Sequence, residues 1–177
     1  MPVERKPRKN KREALVESAI RLVAQKGTKA ASVRQIAEAA GVTEAAVYRH
    51  FTSKEDLFFQ VYCQIVEDMA VSKDAIITRG EPISMRIGGW IKVTYEFFDK
   101  FPDAFTFVLL TPHNFEDRDD GEIATRQGGL LMAMLDRDMK GGLFPTFQLD
   151  LTMAMLTGVM LNVPRLINEG SLAGHLR

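Results

Sequence analysis

Residues 32–58 read SVRQIAEAAGVTEAAVYRHFTSKEDLF, two short helical segments either side of a glycine. Ser32 is a good N-cap, and Gln35 three residues later completes a capping box. Val33, Ile36, Ala37 and Ala40 share one face of the first segment, and Gly41 stops it. Thr43 caps the next helix, over 44–50, with Ala46 and Val47 turned inward. Ile36, Ala37, Ala40, Val42 and Val47 are small or branched, as two short helices crossing steeply require. The pattern is a helix-turn-helix, whose second helix can lie in the major groove of DNA. The next residues, TSKED, start a longer helix, with either Thr52 and Glu55 or Ser53 and Asp56 as its capping box.

Before this segment, Ala14, Leu15, Ala19, Leu22 and Val23 recur at helical spacing, predicting a helix over 11–26 that Gly27 ends. Residues 1–11 carry two prolines, many charges and few apolar groups, and read as a disordered basic arm. After it, Leu57, Phe58, Val61, Tyr62, Ile65, Met69 and Ile76 stripe a helix to about residue 78, which Gly80 and Pro82 break. Further helices are expected over 83–101, 103–110, 122–139 and 147–168, with a polar loop at 113–120. No segment alternates with period two, so the fold class is all-α with about eight helices. The expected organisation is a basic arm at 1–11, a three-helix DNA-binding domain at 12–54, and a helical effector-binding and dimerisation domain at 55–177.

The chain of 177 residues has zero net charge, but the charge is unevenly placed. Residues 1–54 hold twelve Lys/Arg against five acids, a balance of +7, and the remainder holds eleven against eighteen, −7. A basic front half points to a polyanionic partner. One cysteine, Cys63, excludes a disulfide framework and a multi-cysteine zinc site, and its apolar neighbours mark it as a buried thiol. His113 and His175 lack metal-ligand spacing, and Asp119 and Asp120 read as solvent-facing loop acids. Neither a nucleophile–base motif nor a phosphate loop nor a dinucleotide fingerprint is present, so neither an enzyme nor a cofactor is expected. The longest apolar run is too short for a membrane span, and the N-terminus is not a secretory signal, so a cytoplasmic location is expected.

The ordered elements IAEAAGV, VYRHF and SKEDLF, behind a basic helix, resemble the DNA-binding segment of the tetracycline-repressor (TetR) family. The resemblance implies a homodimeric transcriptional regulator, usually a repressor, released from a palindromic operator by a small molecule. By the same resemblance, Thr43, Tyr48, His50 and Lys54 contact DNA, chiefly its phosphates. Ser32 and Arg34 are further phosphate contacts, and Ala45, with Ala46, is small enough to approach a thymine methyl. Glu44 departs from many family members and leaves the operator sequence open. Phe51 is core. For the effector, assumed mainly apolar, Met69, Trp90, Tyr95 and Phe105 are candidate cavity residues. The last two helices, with Met132, Leu135, Met153, Ala154, Leu156, Thr157, Gly158, Met160 and Leu161, are the expected dimer surface. The alternative reading is a DNA-binding or adaptor protein without a small-molecule effector.

Overall fold

A computed structural model describes residues 10–78, 80–111, 121–142 and 149–172. The described residues form eight helices and no strand: α1 (Lys11–Ala30), α2 (Val33–Ala39), α3 (Glu44–Val47), α4 (Lys54–Ile77), α5 (Ile83–Lys100), α6 (Pro102–Leu110), α7 (Gly121–Lys140) and α8 (Leu149–Asn168). The all-α expectation holds. The basic residues Arg5, Lys6, Arg8 and Lys9 lie outside the described residues, as do His113, Phe115, Asp119, Asp120 and His175.

Local chemistry sets the helix ends. Asn10 accepts from the Arg12 N–H and opens α1. Gly27, with φ 79° and ψ 164°, breaks α1, but a further turn runs on to Ala30, so the helix is kinked rather than ended there. The capping box of α2 forms as expected: the Gln35 N–H donates to Ser32 Oγ and the Ser32 N–H to Gln35 Oε1. At its other end Gly41 has φ 67°, and the Val42 and Gly41 N–H groups donate to the Ala37 and Glu38 carbonyls. That is a Schellman stop, which needs a residue at home with positive φ. The third helix is shorter than expected: α3 ends at Val47, and Tyr48, Arg49 and His50 form a turn.

Two apolar clusters build the interior. The first joins Leu15, Ala19 and Val23 of α1, Ile36 and Ala37 of α2, Val47 and Phe51 around α3, Leu57 to Met69 along α4, and Phe105 and Phe107 of α6. Phe107 meets Phe58 edge-on at 5.9 Å, and Phe105 meets Phe98 at 5.5 Å. The front helices therefore share their core with α4 and α6. Cys63 is only half-buried, on the rim of this cluster. The second cluster gathers Ile83 and Trp90 of α5, Leu131, Met134 and Leu135 of α7 and Met160 of α8, with Ile77 of α4 packed against it. Pro164 lies buried inside α8.

Charges cross these layers. Arg126 of α7 forks onto Glu67 and Asp74 of α4. Arg86 and Asp138, both buried, pair between α5 and α7. Lys73 is 2% exposed, its ammonium hydrogen-bonded to Gln127 Oε1 and 4.9 Å from the centre of the Trp90 ring. Burial lowers its pKa to about 7, from 10.5 for a free lysine. From about pH 10.5 down to about pH 7 the unfolded chain binds this proton and the folded chain does not, so stability rises with pH across that window. Urea denaturation should therefore show the native protein gaining about 2 kcal/mol from about pH 7 to pH 9 relative to Lys73→Met. An equal pH response in both proteins contradicts this assignment.

Candidate nucleic-acid interface

The α2–turn–α3 unit rests on Ile36, Ala37, Val47 and Phe51, all buried. With Val47 and Phe51 as the floor, the opposite side of α3 must face solvent. Glu44, Ala45, Tyr48 and Arg49 are exposed there, Tyr48 by 53%. Glu44 and Tyr48 stand one helical turn apart, the Tyr48 N–H donating to the Glu44 carbonyl, and Arg49 follows in the turn after α3. Arg49 was not among the expected contacts. It is exposed in the turn that follows α3.

The flanking hydroxyls are held in defined states. Thr43 Oγ1 accepts from the Ala46 N–H at 3.2 Å, and Ser32 Oγ accepts from the Gln35 N–H at 3.2 Å. Each cap uses an oxygen lone pair and leaves the hydroxyl proton free to donate outward, as a phosphate oxygen requires. Arg34 is exposed on the first turn of α2. His50 is exposed, its ring tilted on Phe51 at 6.3 Å. Lys54, at the first position of α4, is half-buried with Nζ 5.4 Å from the Phe58 ring centre. Glu44 stands in the first turn of α3, where the helix dipole favours a carboxylate.

A clasp fixes this surface to α4. Of the two capping boxes the sequence left open, Ser53 is the N-cap, its Oγ accepting from the Asp56 N–H at 3.0 Å. Asp56 does not return to Ser53; it reaches one residue further back. Its Oδ2 accepts from the Thr52 N–H at 2.7 Å and from Thr52 Oγ1 at 3.0 Å. Its Oδ1 accepts from Gln60 Nε2 at 3.2 Å, and Gln60 Oε1 accepts from Arg12 Nη2 at 3.2 Å. The Arg12 guanidinium also lies 5.8 Å from the Phe51 ring centre. The beginning of α1, the end of the α3 turn and the first turns of α4 thus share one polar network.

The four candidate cavity residues do not converge on one space. Met69 and Phe105 are buried in the first cluster and Trp90 in the second. Tyr95 is half-buried and donates to the Val159 carbonyl at 3.3 Å, tying α5 to α8. An open cavity of about 430 Å³ lies elsewhere, between α6 and α8, lined by Leu109, Leu110, Leu161, Asn162 and Arg165 among others. Among the described residues no group of three His, Cys, Asp or Glu side chains is placed to hold a metal ion. No helix of the described residues is long and apolar enough to cross a membrane.

Residues 15–61 match the family described as bacterial regulatory proteins, tetR family. The chain is 26% identical over 140 residues to the HTH-type transcriptional repressor KstR2 of Rhodococcus jostii, covering 76% of this chain and 68% of that one. It is 43% identical over 61 residues to the HTH-type transcriptional regulator AcrR of Shigella flexneri, which is 31% of this chain and 28% of that protein's length. The fold is that of the transcriptional regulator FadR from Bacillus subtilis, solved in complex with stearoyl-CoA: TM-score 0.75 at 16% identity, over 91% of this chain and 89% of that one. These relatives are transcriptional regulators, not enzymes.

Asp56→Ala removes the acceptor of the Thr52 N–H, Thr52 Oγ1 and Gln60 Nε2. Denaturant unfolding should record a loss of about 2–3 kcal/mol, well above the effect of an exposed surface acid. A loss below about 0.5 kcal/mol shows that the clasp does not hold the two segments together.

Proposed function

We propose that this chain, which belongs to the tetR family of bacterial regulatory proteins, is a repressor. In this reading it binds a palindromic operator as a homodimer and releases it when a small molecule occupies the helical domain. The carrying observation is the solvent-facing side of α3 and the turn after it, where Ala45, Tyr48 and Arg49 are exposed while Val47 and Phe51 are buried. Ala45 meets a base edge, where a methyl-sized side chain admits a thymine methyl. Tyr48 and Arg49 reach bases or phosphates beside it. Ser32, Arg34, Thr43, His50 and Lys54 ring the face and grip the phosphate backbone on either side, fixing register. Ser32 and Thr43 donate their free hydroxyl protons, and Lys54 is steadied by Phe58.

A second copy is accommodated on α8. Leu151, Met155 and Val159 are 48%, 61% and 52% exposed and lie four residues apart on one face, with Ala154 and Gly158 between them. Such a stripe is costly in water, and the small residues admit close approach of a partner helix. A two-fold axis there sets two α3 helices against one side of a duplex, on half-sites about one helical turn apart. Because α4 enters both apolar clusters, an effector that prefers one packing of the second cluster shifts the heads through α4. The stearoyl-CoA bound to the similarly folded FadR supports a ligand site in this class of helical domain.

Tyr48→Ala should weaken binding to DNA from upstream of the protein's own gene roughly fivefold, for about 1 kcal/mol of lost contact. Lys54→Ala should lower the slope of log affinity against log salt by about 1. Both variants should melt close to the native protein, which calorimetry checks. A large fall in melting temperature with unchanged affinity per folded dimer contradicts both roles. Met155→Glu should convert the dimer to a monomer in analytical ultracentrifugation; an unchanged mass contradicts the α8 interface.

A further inference from the structure

One arginine of α1 lies beside the turn that follows α3 with most of its donors unspent. Arg12 is half-buried, its Nη2 donating to Gln60 Oε1 at 3.2 Å and its guanidinium carbon 5.8 Å from the centre of the Phe51 ring. Among the described residues no carboxylate stands within ion-pair distance of it. The acid of the same network, Asp56, accepts instead from the Thr52 N–H, Thr52 Oγ1 and Gln60 Nε2. The Gln60 amide thus stands between the two charges, its Nε2 toward the carboxylate and its Oε1 toward the guanidinium. A glutamine at this place orients both groups and neutralises neither. A guanidinium carries five N–H donors in a planar fork, and one of Arg12's is used by Gln60. His50 lies against the same aromatic ring, the His50 and Phe51 ring centres being 6.3 Å apart, and Lys54 opens the helix that carries Gln60. Arg12 therefore brings a permanent positive charge to the neighbourhood of His50 from a different helix.

We propose that Arg12 is a further DNA-contacting residue, its unspent N–H groups donating to a phosphate oxygen of the duplex, and that Gln60 is its positioning residue. This rests on the DNA-binding reading above and adds α1 to the elements that grip the operator. A guanidinium fork matches the paired oxygens of a phosphate, and the phosphate supplies the counter-charge that Asp56 does not. Arg12 stands on α1 and not on the reading helix, so the contact goes to the backbone and fixes register without carrying sequence. Its two protein contacts hold the side chain before DNA arrives, so less side-chain entropy is lost on binding. Through Gln60 and Asp56 the same contact bears on Thr52, next to the turn that holds His50. Gripping the backbone and seating that turn are then one network.

The test measures binding of the full chain to DNA from upstream of its own gene, at several salt concentrations and by ethylation interference. Arg12→Met keeps an apolar stem against Phe51 and removes the charge. It should melt close to the native protein and bind about tenfold more weakly. Its slope of log affinity against log salt should fall by about 1 per subunit. Ethylating one particular phosphate in each half-site should hinder the native chain and make no difference to Arg12→Met. Arg12→Lys should restore the native salt slope. Gln60→Glu keeps Arg12 but gives it an internal carboxylate, so its slope should also fall by about 1 per subunit. A lower melting temperature for Arg12→Met, with salt slope and interference pattern unchanged, makes Arg12 a packing brace and overturns the contact. If Arg12→Met does not fold, a native salt slope in Gln60→Glu overturns it instead. In either case a native chain that binds the DNA leaves the DNA-binding reading standing, whereas a native chain that does not bind counts against both.

Discussion

Everything in this molecule depends on α4 being one unbroken helix that belongs to two cores. Its first half, from Leu57 to Met69, is packed among α1, α2 and α6. Its last turns lie against α5 and α7, where Ile77 meets the second cluster and Lys73 meets Trp90. A helix packed at both ends cannot move at one end alone, because interiors at crystal-like density respond by shifting whole elements. The Asp56 clasp reinforces the front end by fastening Thr52, Gln60 and Arg12 to the first turns of α4. The turn after α3 is in this sense fastened to the first turns of α4.

The two ends differ in chemistry. The front is a mainly aliphatic and aromatic cluster, and the Ser32 and Thr43 hydroxyls cap the short helices that rest on it. The back contains charge in its interior: Arg86 with Asp138, and Lys73 against an amide and an indole. Buried polar groups are poor sources of stability and are effective at making one packing depend on what else is present.

The front of the molecule was legible in the sequence because local rules govern it. A capping box is a pattern of nearby residues, and Ser32 with Gln35 form it as expected. Gly41 is required by the backbone at a positive-φ stop, and Val47 and Phe51 fall on the buried side by helical spacing alone. Gly27 was legible only in part: its positive φ breaks α1, but the helix resumes, because one glycine sets a kink without fixing the conformation of residues 28–30. The early end of α3 escaped for the same reason: nothing in residues 48–50 forbids another turn, yet the chain bends there toward the clasp. Packing between distant helices follows no local rule. Met69, Trp90, Tyr95 and Phe105 were chosen as large apolar side chains, and long-range packing divides them between two clusters and an α5–α8 contact. Lys73 did leave a trace: it continues the stripe of Met69 and Ile76, and a lysine inside an apolar stripe marks a buried charge.

The most direct test of the account is a footprint of the purified protein on the DNA upstream of its own gene at low salt. The account predicts one protected region with two symmetric halves centred about one helical turn, roughly 10 bp, apart, with contact in the major groove of each. No protection, or a single half without its symmetric mate, would contradict it.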